Sequence, residues 1–372
     1  MHDVVSIPRY GIELAAKVAF LSQADAYSPA VNEVVCRETH MSWVFLAGDK
    51  VYKLKKPVRF PYLDFSTLAK REAACRAELR LNRRLAPDVY LDVAPLRMLA
   101  HGFSIGGEKG LVVDWLVLMR RLDERAMLEH AIVTGRIDGW QLDQLAYVLV
   151  HFYRRAIPAL VTPELHVAYW WRSLSDNRRV LLDWRLELPA GLVRRVDRVQ
   201  RQFLTLRSFI FTVRVRERHL VDGHGDLRPE HIWLGDPVRI IDCLEFNDRL
   251  RIVDPFDEIA FLDLECERLG AIWIGRYLRR KMARGLSGGM AEELYLFYRC
   301  HRATLRARLA IAHLREPNPR TPEKWPTLAR NYLRIAGADA VRLDRLLRTR
   351  GDRRASVRRE SDGRPREQWG RR

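Results

Sequence analysis

One run interrupts the helical periodicity of the chain's second half: Asp222-Gly223-His224-Gly225-Asp226-Leu227-Arg228-Pro229-Glu230-His231-Ile232, followed shortly by Ile240-Ile241-Asp242-Cys243-Leu244-Glu245. Its Gly and Pro residues exclude a continuous helix. Ile232-Trp233-Leu234 and residues 238–241 read as short strands joined at Gly235-Asp236-Pro237, a hairpin with an acid-bearing loop at each end. Such loops can bring Asp226 and Asp242 to one point, one to take a proton and one to hold a divalent metal. Phosphoryl transfer needs both, because its work is to position an acceptor hydroxyl and to neutralise phosphate charge.

Upstream, the punctuation is that of strands. Residues 33–37 and 43–46 are β-rich, and Ala47-Gly48-Asp49 turns the chain into Lys50-Val51-Tyr52-Lys53-Leu54-Lys55, which predicts a hairpin. Period two puts Val51, Lys53 and Lys55 on one face and Tyr52 and Leu54 on the other. Pro57 and Pro61 end the strand. From Phe65 the apolar spacing becomes helical, with Ser66 as the expected cap and Pro87 as the limit. Residues 89–99 and 111–122 read as two further strands joined by a turn containing Gly102, Gly106, Gly107 and Gly110. Several strands and one helix in 122 residues predict an antiparallel sheet rather than a βαβ repeat. Beyond Leu122 the expected helices are 140–155, 192–216, 258–284, 290–314 and 332–347, with a loop over 314–324. The Arg-rich tail, 351–372, is expected to be disordered.

Composition bounds the partners. Lys+Arg 65 against Asp+Glu 47 leaves a net charge of +18, which brings nucleic acid, anionic membrane and phosphorylated small molecules into view together. Only nine of the cations are Lys, so the excess is an Arg bias and the Lys cluster at 50–56 stands out. Five Cys without a CxxC argue against a disulfide framework or a zinc site and point to a reducing compartment. The first twenty residues do not read as a signal peptide, and the most apolar segment, 111–119, is interrupted by Asp114 and is too short for a membrane span. A cytoplasmic protein is expected.

The motifs together resemble the aminoglycoside phosphotransferase-like branch of the protein-kinase-like fold. His224-Gly225-Asp226 with the Ile241-Asp242 strand end matches that branch, where Gly rather than Arg separates His from Asp. Asp254-Pro255-Phe256-Asp257-Glu258-Ile259-Ala260 is similar to its D-P-x-x-D-L-A stretch. The resemblance spans residues 31–315. It implies an α+β, two-lobed fold: a small antiparallel-sheet N-lobe with one helix (1–122) and a mostly helical C-lobe (123–350). It also implies an ATP (or GTP) and Mg²⁺-dependent transfer of the γ-phosphate to a small-molecule hydroxyl.

By that resemblance Asp226 accepts or orients the acceptor proton, Arg228 neutralises the γ-phosphate, and Asp242 coordinates Mg²⁺. Lys53, with Lys55 as its rival, reaches the nucleotide phosphates and pairs with Glu78. The hinge for adenine lies around Met119-Arg120-Arg121-Leu122, His224 buttresses the loop, and Asp257 holds that loop through its backbone N–H groups. Two positions depart from the pattern. His231 stands where the family has the Asn that binds a second metal, so it either ligates metal or only hydrogen-bonds Asp226. The link between the first two strands, Glu38-Thr39-His40-Met41-Ser42, has no Gly, leaving the Thr39 and Ser42 hydroxyls to meet phosphate. A catalytically degenerate nucleotide-binding or scaffold protein is the alternative. A protein kinase is disfavoured because Asp242-Cys243-Leu244 is not D-F-G. Nucleic acid and membrane are not expected as partners.

Overall fold

The computed structural model describes residues 13–60, 62–287, 289–315 and 321–362. They form an α+β fold with ten helices and a curled antiparallel sheet of six strands in the order β1-β2-β3-β8-β6-β7. The sheet strands are β1 (Val34–Glu38), β2 (Ser42–Ala47), β3 (Lys50–Lys55), β6 (Tyr90–Leu99), β7 (Gly102–Ile105) and β8 (Leu111–Arg120). The two-residue strands β4 (Arg59–Phe60) and β5 (Leu63–Asp64) pair with each other.

The β2–β3 hairpin follows from its turn: Gly48 takes φ +60°, a conformation that matches the strand twist and that a residue with a Cβ adopts at a cost. Alternation along β3 then sorts its side chains. Tyr52 and Leu54 enter one apolar cluster with Phe45, Leu96 and Leu116, roofed by Leu14 and Val18 of α1 (Leu14–Leu21). Val51 packs into the opposite cluster, with Tyr90, Val117 and Met119, where α2 (Leu68–Asn82) contributes Cys75 and Leu79. Asp114, the acid that interrupts the apolar run, is buried between Lys17 Nζ and Arg71 Nε, each 2.7 Å away. The cap of α2 is Thr67, whose hydroxyl accepts from the Lys70 N–H; Ser66 bonds Asp64 instead. The glycine-rich connection contains β7, paired with β6.

By contacts the chain divides into two compact units. One comprises the described residues up to Arg155 together with Asp222–Ile252; the other comprises Ala156–Val221 and the described residues from Val253. This grouping differs from a lobe boundary at residue 122. The strands β10 (Ile232–Trp233) and β11 (Arg239–Ile240), which form the expected hairpin, are tied to their surroundings by hydrogen bonds. The Leu234 N–H donates to the Ala126 carbonyl (2.8 Å), beside α3 (Leu128–Thr134). Gln141 of α4 (Gly139–Arg155) donates to the Leu234 carbonyl (3.2 Å).

The second unit is helical: α5 (Pro163–Leu181), α6 (Ala190–Arg216), α7 (Pro255–Arg268), α8 (Ile272–Gly285), α9 (Glu292–Ala312) and α10 (Lys324–Asp362). Trp170 of α5 sits at its centre, stacked on Phe211 and edge-on to Phe297 and His301. The single helix expected over 258–284 is two, broken at Gly270, which takes φ +91°. α5 was not expected, although Thr162 before Pro163 is a helix-start signal; the Thr162 hydroxyl accepts the Leu165 N–H. α10 continues through the segment expected to be disordered as far as Asp362, because extending a helix rich in Arg and Ala costs far less than nucleating one. Residues 363–372 lie outside the described residues. No helix among the described residues is long and apolar enough to cross a membrane.

Candidate active site

Lys53 and Lys55 share a face of β3, and α2 crosses that face with Glu78 wholly buried. Lys53 Nζ lies 2.8 Å from Glu78 Oε1 and 2.8 Å from Asp242 Oδ1. Lys55 Nζ lies 2.6 Å from Glu78 Oε2 and bonds Glu245 as well. Two cations thus serve three carboxylates. Burial drives the Glu78 carboxyl pKa up, but Lys53 and Lys55 outweigh it and hold it below the usual range. At Asp242, burial is likewise opposed, chiefly by Lys53, and the result is a carboxylate well below the usual range. Glu245 goes the other way: burial, assisted by Glu78, outweighs Lys55 and raises it.

The acidic loop is anchored through its backbone. The Asp242 N–H donates to the Tyr90 hydroxyl (3.0 Å) and the Cys243 N–H to Asn82 Oδ1 (2.8 Å). Asn82 in turn donates to the Glu78 carbonyl (2.9 Å), so α2 supports both the acid that meets Lys53 and the loop that carries Asp242. Asp242 adopts φ +62°, a conformation that costs a non-glycine residue on the order of 1 kcal/mol or more and survives where surrounding contacts impose it.

Across the β10–β11 hairpin, Gly225 takes φ +89°, and a Cβ there would stand 2.9 Å from Leu244 Cδ1. This is why Gly separates His224 from Asp226. His224 is buried, with Nε2 donating to the Ile241 carbonyl (2.9 Å) and Nδ1 accepting the Asp226 N–H (3.3 Å). The ring therefore links the loop to the end of β11. His231 Nδ1 donates to the Asp226 carbonyl (2.9 Å), which leaves Nε2 as acceptor for Arg228 (3.1 Å), with Asp242 Oδ2 3.5 Å away. Arg228 also bonds Asp226 Oδ2 (3.0 Å) and Glu230.

Thr39, Ser42, Lys53, Met119, Arg121, Arg228, His231 and Asp242 line one cavity of about 490 Å³, a volume typical of small-molecule sites. Lys55 and Glu78 stand behind its wall, and Asp226 is joined to it through Arg228 and His231. The Thr39 hydroxyl is committed to its own turn, accepting the Ser42 N–H and donating to the Ser42 carbonyl, both at 2.9 Å. Lys56, not anticipated from the sequence, pins that turn through the Thr39 carbonyl (2.6 Å) and Glu38. Glu245, Asn82 and Tyr90 were also not anticipated. Asp257, expected to hold the catalytic loop, lies in the first turn of α7, where its carboxylate accepts two bonds from Arg302 (2.9 and 2.6 Å).

Among the described residues, no three His, Cys, Asp or Glu side chains converge as a ready metal cage. Mg²⁺ requires none, since one carboxylate with substrate phosphates and water is a usual donor set. Asp242 could provide such a carboxylate, whereas both ring nitrogens of His231 are already engaged.

No family model matches the chain. Two uncharacterized proteins, from Mycobacterium tuberculosis (strain ATCC 25618 / H37Rv) and Mycobacterium bovis, are 33% identical over 287 residues, covering 76% of this chain and 56% of each relative. The chain thus spans little more than half the length of the relatives it matches. Among solved structures, a choline/ethanolamine kinase family protein from Mesorhizobium loti superposes with a TM-score of 0.52 at 14% identity, over 89% of this chain and 98% of the other. A thermostable mutant of an aminoglycoside phosphotransferase, in apo form, gives 0.50 at 10% identity, over 86% and 98%. The fold is the expected aminoglycoside phosphotransferase-like, protein-kinase-like one.

Proposed function

We propose that this chain, built on the protein-kinase-like fold, is a phosphotransferase that moves the γ-phosphate of ATP or GTP to a hydroxyl of a small molecule. The observation that carries the reading is Lys53 Nζ, midway between Glu78 and Asp242 in the wall of the 490 Å³ cavity. A lysine so held is a fixed cation, with its rotamer set by two carboxylates before any phosphate arrives. In this reading Lys53 meets the nucleotide phosphates, and the backbone around Met119 and Arg121 faces the base. Asp226 orients the acceptor hydroxyl and takes its proton, while Arg228 exchanges Glu230 for phosphate oxygens. Asp242 holds Mg²⁺, which when bound neutralises charge on the phosphates. Thr39 contributes its place in a rigid turn rather than a free hydroxyl.

A degenerate nucleotide-binding protein is the second reading, favoured by the engagement of Arg228 with Asp226, Glu230 and His231. The two separate in one experiment: a metabolite extract is incubated with γ-labelled ATP and either the wild type or Asp226→Ala. Label transferred by the wild type alone supports the enzyme. Equal transfer by both would sink the catalytic assignment, and Mg²⁺-dependent nucleotide binding without transfer would favour the second reading. Five free cysteines, four of them buried, agree with the reducing cytoplasm as its compartment.

A further inference from the structure

The helical unit has a cavity of its own, about 460 Å³, lined from α7, α8, α9 and α10. Five of its eleven lining residues are Arg, roughly three times the frequency that the chain's general Arg bias would place there. Three of the five are already matched. Arg299, buried at the floor, bonds Asp263 (2.6 Å), Asp339 (3.0 Å) and Glu267. Arg279 lies 4.0 Å above the Tyr295 ring and bonds Glu292, whose other oxygen meets Arg342 at 3.2 Å. Asp263, Glu267, Asp339 and Glu292 are each bonded to at least one of these three.

Arg276 and Arg280 are different. They stand at i and i+4 on α8, exposed, and neither has a hydrogen-bond or ion-pair partner among the described residues. Like charges at that spacing repel. On an open helix face solvent and salt would screen them, but here they edge a concave site whose remaining cations are spoken for. A multiply charged anion would give these two guanidiniums the bonded partners they lack, and their paired N–H groups suit phosphate oxygens.

We propose that this cavity is a second ligand site, for a phosphorylated small molecule held by Arg276 and Arg280, independent of the nucleotide cavity. Inorganic pyrophosphate is the probe, titrated calorimetrically into the full chain. The Lys53→Met variant weakens binding in the first cavity, and within it only the part of the pyrophosphate binding that depends on Arg276 and Arg280 reports the second. Adding Arg276→Gln and Arg280→Gln is expected to weaken that remaining binding roughly tenfold or more, as loss of two charge-assisted contacts should. The melting temperature should stay unchanged, since neither side chain has a partner to lose. No binding by Lys53→Met, or binding unaffected by the two Arg changes, overturns the site. A short RNA held far more tightly than pyrophosphate through the same two residues overturns the small-molecule assignment. Nucleotide binding by the Arg variants tests the phosphotransferase reading separately.

Discussion

Lys53 and Lys55, two positions apart on β3, hold opposite oxygens of one carboxylate, that of Glu78. Each then takes a second acid from the loop after β11, Asp242 for Lys53 and Glu245 for Lys55. The pairs differ in surroundings. Lys53 opens onto the 490 Å³ cavity, whereas Lys55 is 1% exposed. One network therefore contains a cation facing the cavity and a cation that holds the acidic loop to the sheet.

Replacing the two lysines should separate these roles. Lys53→Met leaves Glu78 still paired with Lys55, so the fold should persist while phosphate transfer falls by about a hundredfold or more. Lys55→Met leaves Glu78 with Lys53 alone and Glu245 buried without its cation, a change that typically costs about 3–5 kcal/mol. Thermal melting combined with nucleotide-binding assays reads both. Equal stability of the two variants would contradict the division.

Gly225→Ala should disable the loop. The new Cβ meets Leu244 at 2.9 Å from a backbone at φ +89°, so His224 and Asp226 must shift. Gly191→Ala, in the first turn of α6 with nothing within 4 Å, is the control and should be neutral or stabilising by about 0.5–1 kcal/mol. Loss of nucleotide binding or turnover in the first variant and not in the second is the expected result.

In the helical unit, α8 approaches α7 where Gly275 faces Asp263; a Cβ at 275 would lie 1.8 Å from Asp263 Oδ1. Gly275→Ala should destabilise by about 1–3 kcal/mol, the usual cost of overpacking. A denaturant midpoint equal to that of the wild type would show that the two helices move apart freely.

His166 predicts an acid-sensitive contribution. Its Nε2 accepts the Trp170 indole N–H at 3.1 Å, and burial lowers its pKa from 6.5 to about 4 against the opposing pull of Asp254. The unfolded chain then binds the proton more tightly, so the contribution is full above pH 6.5 and is lost as pH falls toward 4. Measured as the stability difference between wild type and His166→Gln, it should shrink by roughly 3 kcal/mol across that window. A difference independent of pH would refute the assignment of a neutral His166.

Local rules made part of this site legible in the sequence. Strand periodicity alone puts Lys53 and Lys55 on one face, a positive φ requires glycine at 48 and 225, and the hairpin at 232–241 follows from its turn residues. These features depend on backbone geometry within a few residues. Partner choice does not. Lys53 and Asp242 are 189 positions apart, and nothing near either residue says that Lys53 faces the cavity while Lys55 turns to Glu245. Only the packing of α2 across β3 decides which cation is sealed and which is open. The same holds for Asp257, whose carboxylate meets Arg302 of α9, and for the Arg excess. In the sequence that excess is a bulk charge of +18; the tertiary structure spends most cavity arginines on carboxylates and leaves Arg276 and Arg280 without one. Local conformation is set by neighbours in the chain, but the pairing of buried charges is set by which surfaces the core brings together.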